Sequence, residues 1–508
     1  MSKNLSSEAQ RKKRVLLIMP GRYGVKDVNL PLPLLMLSKP LLEHGFEPVI
    51  FDCRLRNYEA ELRHLKDFVC VGITSMSGEQ VKHALDVSKH IKKINPELKI
   101  VWGGPHSSTM PEQTVKNKNV DVVVRGEGED AMLEIADAIR GNKSLHDVQG
   151  ITFKDKNGRI ISTPDRPMRD INQSPCSPYH LVSMEKDYTP MLYKFEYISS
   201  KGCPHRCEFC SNAARYYGKW VAKSPEVVVK ELDDIIKRFH PKRIVFHDSN
   251  FFVSRKRVEE ICKLIIEKKW DVEFYAMIRC DYIVRYADEF FQLLKKAGFK
   301  ELAFGGESGN QRVLNLIKKD ITVKQILDSV KVLKRNGFDP IISFMVGLPS
   351  ETEKELNDTL DLCDEIWRIH KHAKINGVAM FTPLPGTEIT KKLVEQYHYK
   401  LPKKLEGWAE EWRYNNPNNF TWLNKRIRSK YEGIYLCSRI IFVNQWLGEW
   451  SYKEKLTKFG TPLMVAGVVA FNKFFNALAK ARWRMRFFNA PLELKIWQLI
   501  YSRAKGMA

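Results

Sequence analysis

Three cysteines in one short stretch, Lys201-Gly-Cys-Pro-His-Arg-Cys-Glu-Phe-Cys210, are the residues of this 508-residue chain best suited by type and spacing to do chemistry. Cys203, Cys207 and Cys210 follow the pattern C-x3-C-x2-C directly after a strand-like run at 195–199, so three thiolates share one loop. Three is an informative number. Structural zinc wants four closed ligands, whereas a cubane iron-sulfur cluster held by three thiolates leaves one iron open to a small molecule. Three free cysteines, or a zinc knuckle short of one ligand, are the competing readings. The remaining cysteines (Cys53, Cys70, Cys176, Cys262, Cys280, Cys363 and Cys437) are scattered and do not form a disulfide framework, which fits a reducing cytosol.

The loop needs a scaffold, and the sequence around it predicts one. Between about 190 and 398, strand and helix alternate, with six strand candidates at 195–199, 243–248, 272–278, 301–306, 340–347 and 376–383. Helices are predicted to open at Ser224-Pro225 and at a capping box Ser350-Glu-Thr-Glu353. Six repeats indicate a partial parallel barrel, which places its chemistry on the loops after the strands. The cysteine loop follows the first of these strands. The later ones end in polar groups: His247-Asp-Ser-Asn250, Arg279-Cys-Asp281 and Gly305-Gly-Glu-Ser-Gly309.

Upstream, short apolar runs at 14–20, 49–51, 69–74, 99–103 and 121–125 alternate with helical patterns, clearest at 79–94 and 130–139. That alternation implies a doubly wound sheet with a ligand crevice at the carboxyl ends of its strands. The loops there, Thr74-Ser-Met-Ser-Gly78, Gly103-Gly-Pro-His106 and Arg125-Gly-Glu-Gly-Glu129, are rich in small and hydroxyl residues that let a large flat ligand approach the backbone. Taken alone, such a sheet binds a nucleotide, a flavin or nothing. Residues 143–190 read as a connector, with a hairpin around Asn157-Gly158 and then a linker rich in proline, aspartate and serine that contains Cys176.

The cysteine loop, with Phe209 before its last thiol, resembles the radical S-adenosylmethionine (SAM) superfamily. Gly103-Gly-Pro-His106, followed by the run ending Arg125-Gly-Glu-Gly-Glu129, resembles the cobalamin-binding domain found upstream of many such barrels, over residues 14 to about 142. The resemblance implies a 4Fe-4S cluster on Cys203, Cys207 and Cys210. It implies SAM contacts from Phe209, from Asp248 to the amine, from Arg279 to the carboxylate and from Glu307 and Ser308 to the ribose. It implies cobalamin contacts from Ser75, Met76, Ser77, Gly103, Gly104, Pro105, His106, Gly126 and Glu127. One departure matters. Many cobalamin proteins use Asp-x-His-x-x-Gly to set a histidine beneath the cobalt, but this chain reads Phe51-Asp-Cys-Arg54, and His106 is the nearest histidine. Cobalamin bound without a protein histidine is the implied arrangement. Gly305-Gly-Glu307 looks like the family's Gly-Gly-Glu motif but lies on the fourth strand, so it is not given that role. Gly347-Leu-Pro349 and Thr382-Pro-Leu-Pro-Gly-Thr387 are expected on the substrate side of the cavity. The expected fold class is therefore α/β: a doubly wound cobalamin-binding domain (1–142), a linker with hairpin (143–190), a partial (β/α)6 radical SAM barrel (191–400) and a mainly helical, basic and aromatic C-terminal domain (401–508).

Eighty-three Lys and Arg against 60 Asp and Glu leave a net charge of +23, so the surface should attract an anionic partner. The excess is concentrated at the end: residues 455–508 hold ten Lys or Arg and one acid, Glu493, interleaved with Phe471, Phe474, Phe475, Trp483, Phe487, Phe488 and Trp497. Earlier in the same domain lie Trp408, Trp412, Trp422, Trp446 and Trp450. Basic residues among aromatics on helices favour peripheral association with an anionic membrane over nucleic acid, for which no RNA-binding motif is present. A helical cap with inward aromatics is the plainer alternative. The longest apolar run, 462–471, falls short of the roughly 18 residues that span a bilayer. No secretory signal opens the chain, and a cytoplasmic enzyme is expected. The resemblance then implies a cobalamin-dependent methylase that acts on an unactivated carbon of a small-molecule or lipid substrate. It would use a 5′-deoxyadenosyl radical and draw electrons from a flavodoxin or ferredoxin. An anaerobic oxidative cyclase of porphyrin type is the near alternative. An RNA-modifying methylthiotransferase is further away, because it needs a second three-cysteine set where only Cys53 and Cys70 occur, and a non-enzymatic cobalamin or redox sensor is a third option.

Overall fold

Along strand β1 (Arg14–Met19), Val15, Leu17 and Met19 alternate with Leu16 and Ile18, and all five are buried, so both faces of this strand are covered. In the computed structural model of the chain, residues 13–25, 28–173, 177–410, 420–423, 425–443 and 462–507 are described. Cys176, Trp412, Trp446, Trp450 and the first twelve residues lie outside them. The chain divides into two compact units, Met1–Ser249 with Leu384–Lys391 and Lys400–Arg413, and the remainder.

In the first unit, β1 pairs in parallel with β2 (Glu47–Asp52) on one side and β3 (Phe68–Thr74) on the other, and β4 (Lys99–Gly103) and β5 (Val122–Val124) follow. Helices α1 (Leu32–Glu43), α2 (Glu79–Ile94), α3 (Pro105–Thr109) and α4 (Glu129–Ile139) supply the crossovers. Two apolar clusters fill this part of the unit. One gathers Leu16, Ile18, Val71 and Ile73 with α2, and the other gathers Val15, Leu17 and Met19 with α1 and α4. The hairpin of β6 (Ile151–Lys154) and β7 (Ile160–Ser162) is more than a connector. It continues the sheet antiparallel to β5, giving seven strands in the order β2-β1-β3-β4-β5-β6-β7. Leu405 and Trp408, read from sequence as part of the C-terminal region, belong to the first of these cores.

The same unit holds β8 (Lys194–Tyr197), paired in parallel with β11 (Arg243–Phe246), and a two-stranded antiparallel ribbon of β9 (Ser200–Gly202) and β10 (Trp220–Ala222). The strand predicted at 195–199 thus ends two residues early, and the chain turns into the ribbon before the cysteines. Helix α5 (Ser211–Tyr216) follows the cysteine loop. Helix α6 (Pro225–Phe239) starts as predicted, with the Ser224 side chain accepting from Val227 N–H and Pro225 at the first position.

In the second unit, β12 (Glu273–Met277), β13 (Phe299–Glu307), β14 (Asp339–Val346) and β15 (Lys374–Met380) lie side by side in chain order, all parallel. Helix α7 (Arg255–Lys268) precedes β12, α8 (Val323–Arg335) lies between β13 and β14, and α9 (Glu353–Ile369) lies between β14 and β15. The capping box of α9 is formed by Thr352 and Glu355, two residues later than predicted. Ser350 sits in the left-handed region at φ 60°, and its hydroxyl takes a hydrogen bond from Arg312 instead. Beyond β15 come α10 (Lys425–Ser438), α11 (Pro462–Arg484) and α12 (Leu492–Met507). Ser438 Oγ accepts the Val378 N–H at 2.9 Å, so α10 satisfies a backbone donor of β15. No described helix is long and apolar enough to cross a membrane.

Candidate active site

Ribbon register sets the start of the cysteine loop. Gly202 pairs with Trp220 at φ 79°, and a Cβ there would lie 2.2 Å from the Lys219 carbonyl oxygen, so only glycine fits directly before Cys203. The loop closes on itself through Cys210 N–H to the Cys207 carbonyl at 3.1 Å, and Cys210 becomes the N-cap of α5. Ile389 N–H donates to the Glu208 carbonyl at 3.2 Å, which ties the loop to the segment after Thr382-Pro-Leu-Pro-Gly-Thr387. Cys203, Cys210 and Phe209 are partly exposed, and Cys207 is buried. None of the cysteines in the described residues is in a disulfide.

Donor chemistry separates these three from the rest. Burial pushes the thiols of Cys53, Cys70, Cys280 and Cys437 up to about 12 and those of Cys262 and Cys363 higher still, so all six stay protonated and inert at neutral pH. A three-thiolate loop that reaches solvent, in a chain whose other described cysteines are buried thiols, fits a cluster with one iron left open.

Asp248, expected at the methionine amine, is committed elsewhere. Its Oδ1 accepts Ser199 N–H at 2.7 Å, and its Oδ2 accepts the hydroxyls of Ser199 and Ser200 at 2.6 and 2.5 Å. With both oxygens engaged and the residue buried, Asp248 braces the turn that leads from β8 into β9. Beside it, His247 Nε2 meets Glu196 at 2.9 Å, and Lys223 pairs with Glu231 at 2.6 Å, contacts that only the fold reveals.

At the carboxyl ends of the first sheet, Ser75, Ser77 and the Gly103–His106 turn interlock. Ser75 N–H donates to the Gly103 carbonyl at 2.8 Å, His106 N–H returns to the Ser75 carbonyl at 3.0 Å, and Ser75 Oγ meets Ser107 Oγ at 2.7 Å. Gly104 has φ 93°, and a Cβ there would lie 2.8 Å from both the Ser75 carbonyl and Thr74 Oγ1, which explains the double glycine. Gly103, Gly104, Pro105, Gly126 and Glu127 are partly exposed, and Met76 is open to solvent. His106 departs from the expectation of a ligand-facing residue. It is fully buried, its Nδ1 is bonded to Ser77 Oγ at 2.9 Å, and its ring lies edge-on to Trp408 at 5.2 Å. Burial lowers its pKa to about 4, so the ring is neutral. Arg54 stands where the histidine of Asp-x-His-x-x-Gly would be, and it pairs with Asp52 at 2.6 Å, which also accepts the Tyr188 hydroxyl at 2.8 Å.

In the second unit, Arg279 and Glu307 come together through a residue the sequence did not mark. Arg279 pairs with Asp281 at 2.9 Å and donates to the Lys319 carbonyl at 2.8 Å, while the Lys319 ammonium pairs with Glu307 at 2.7 Å. Glu307 holds φ 62°, a left-handed conformation that costs a non-glycine residue about 1 kcal/mol or more and gathers at functional positions. Ser308, expected at the ribose, is buried, and its hydroxyl lies 3.2 Å from Thr359 Oγ1 on α9.

Comparison with known proteins identifies both domains by family. Residues 197–363 match the radical SAM superfamily, and residues 25–136 match the B12 binding domain. The chain is similar to the uncharacterized methyltransferase PH0819 of Pyrococcus horikoshii, 31% identical over 63% of this chain and 68% of that protein. It is also similar to the anaerobic magnesium-protoporphyrin IX monomethyl ester cyclase of Rubrivivax gelatinosus, 27% identical over 61% and 57% of the two chains. Among solved structures, the radical S-adenosylmethionine methyltransferase TsrM of Kitasatospora setae, with cobalamin and a [4Fe-4S] cluster bound, superposes with a TM-score of 0.66 at 18% identity over 76% of each chain.

Proposed function

The chain belongs to the radical SAM superfamily, in the branch that carries a B12-binding domain, and from that premise we propose that it is a cobalamin-dependent methylase acting on an unactivated carbon of a hydrophobic, lipid- or isoprenoid-like substrate. The observation that carries the reading is that one compact unit holds both the B12-type loops and the three-cysteine loop, bonded to each other through Lys201, Glu127 and Glu129.

When bound, the cluster with SAM supplies a carbon-centred radical, and the corrinoid supplies a methyl group. The chain's own residues do the rest. Cys203, Cys207 and Cys210 would hold the cluster, with Phe209 beside the last of them, and Asp248 braces the Ser199–Ser200 turn that leads into their loop. Arg279, Glu307 and Lys319 offer the charges suited to a zwitterionic nucleoside, with Lys319 replacing Ser308 in the expected set. Ser75, Ser77, Gly103, Gly104 and Gly126 would let a corrinoid approach the backbone, and the buried His106 supports their turn through Ser77 and Trp408.

A low-potential flavodoxin or ferredoxin would deliver the electrons. Cytoplasmic location at the inner face of an anionic membrane fits a hydrophobic substrate. It is supported by a stripe of exposed Leu492, Ile496 and Leu499 along α12, next to exposed Met485 and Phe487. The oxidative cyclase is the second reading, favoured by the similarity to the Rubrivivax gelatinosus protein. A methylthiotransferase is not favoured, because Cys53 and Cys70 are buried thiols.

The test is anaerobic reconstitution of the full chain with iron, sulfide and hydroxocobalamin, followed by assay of SAM products. A methylase yields S-adenosylhomocysteine together with 5′-deoxyadenosine, and methyl-labelled SAM transfers its label into a lipid extract. A cyclase yields no transferred label. Cys207→Ala should abolish 5′-deoxyadenosine, and a variant that still makes it would overturn the cluster assignment.

A further inference from the structure

The buried ion cluster that joins the loop suited to a corrinoid to the loop suited to the cluster turns on a lysine, Lys201, that has been given no role of its own. Lys201 lies on β9, two residues before Cys203. Its ammonium is hydrogen-bonded to Glu127 Oε2 and Glu129 Oε1. Only 12% of the Lys201 side chain and 9% and 10% of the two carboxylate side chains reach solvent, so these charges meet in a region of low dielectric. Glu127 comes from the turn after β5, and Glu129 opens α4. Tyr216, at the far end of α5, is buried, and burial with the nearby Glu127 carboxylate pushes its phenol up. The Glu127 carboxylate thus holds β9, the strand that leads into the Cys203–Cys210 loop, and lies near the end of the helix that follows it.

Burial works against the charge on Lys201, but Glu129 and then Glu127 outweigh it, and its pKa rises. Burial likewise opposes ionisation of Glu129, and Lys201 overcomes it. Such a triad is a poor way to gain stability. Desolvating the ions offsets most of their attraction, and apolar replacements of similar volume often serve as well or better. What an ion cluster does supply is registry between parts that could otherwise slide. The register of the ribbon is already fixed by Gly202, which leaves the placement of the β5 turn against the cysteine loop as the relationship that Lys201 specifies.

We propose that Lys201 is a positioning residue that couples the two cofactor loops, so that assembly of the cluster and binding of the corrinoid favour each other. This rests on the function proposed above. Coupling of this kind is reciprocal, and its expected size is on the order of tenfold in affinity.

The experiment titrates hydroxocobalamin into the full chain, read by its visible absorption, before and after anaerobic cluster assembly. The expected result is a Kd about tenfold lower with the cluster assembled in the wild type, an unchanged Kd in Lys201→Met, and recovery of the ratio in Lys201→Arg. Because Lys201→Met strands two buried carboxylates, the triple variant with Glu127→Gln and Glu129→Gln removes both stranded charges and serves if the single variant does not fold. Wild-type melting temperature without the ratio in that triple variant supports positioning. Return of the ratio there overturns it, as does a tenfold ratio kept by Lys201→Met. Wild type that binds no corrinoid defeats the proposed function, whereas corrinoid binding without the ratio defeats this inference alone.

Discussion

Trp408 donates its indole N–H to Oε1 of Gln113 at 2.6 Å, across 295 positions of sequence. The same ring is fully buried and meets His106 edge-on, so a residue from beyond the barrel completes the core of the B12-type sheet. Trp408→Ala should therefore cost about 3–5 kcal/mol in the unfolding of that unit, the range for emptying a large aromatic site. Trp408→Phe refills most of the volume and should cost only about 1–3 kcal/mol, from the acceptor left on Gln113. Urea unfolding of the two variants, followed by near-ultraviolet circular dichroism, measures both. Equal costs would show that the hydrogen bond, not the packing, matters.

Glu351 gives the second unit a pH signature. Its carboxylate accepts Gly347 N–H at 2.6 Å and the Tyr431 hydroxyl at 3.0 Å, but burial dominates and pushes its pKa up to about 7. A carboxyl raised in the folded state stabilises most below its ordinary pKa, and that stability is lost as pH rises through about 7. The loss should be on the order of 2–3 kcal/mol between pH 4.5 and 8. Glu351→Gln keeps an acceptor for both donors and removes the proton, so the difference in urea midpoint between variant and wild type should grow with pH. A constant difference would sink the assignment.

Lys319 and Glu307 are expected to act on SAM rather than on the cluster. Replacing both, as Lys319→Met with Glu307→Gln, avoids leaving one buried charge unpaired. The double variant should hold wild-type iron while its SAM Kd rises about 10–100-fold, the loss of one or two charged hydrogen bonds. Equilibrium dialysis against labelled SAM reads the Kd. A value within twofold of wild type would remove the pair from the binding site.

The apolar stripe on α12 makes a membrane prediction. Leu492, Ile496 and Leu499 fall at helical spacing, and between 53% and 69% of each residue is exposed. Co-sedimentation of the full chain with vesicles containing anionic lipid should weaken with added salt and fall at least tenfold when all three residues become Glu. Retention by neutral vesicles alone, or self-association that the triple variant abolishes, would argue for another occupant of this face.

Much of this was legible in the sequence because it depends on neighbours along the chain. Strand β4 spans the predicted 99–103 run and helix α2 the predicted 79–94 pattern, since period and punctuation are local signals. The same holds for the Ser224 cap and the three-thiol loop. What escaped was set by distant partners. Nothing near Asp248 announces that Ser199 and Ser200 will take both its oxygens, and nothing near Lys319 announces Glu307. The β6–β7 hairpin was visible, but its attachment to β5 depends on an open sheet edge that only the fold creates. Trp408 read as a tail aromatic because the pocket that receives it is built by residues some three hundred positions earlier.

The sequestering of six thiols in apolar surroundings has a practical corollary. Oxygen or peroxide reaching the metal-free polypeptide meets few thiols in the described residues beyond those of the cysteine loop, so cysteine oxidation concentrates there. The first stages of such damage, a sulfenic acid or a disulfide within the loop, are reversed by a dithiol, so reduction ahead of cluster assembly should restore the three ligands together.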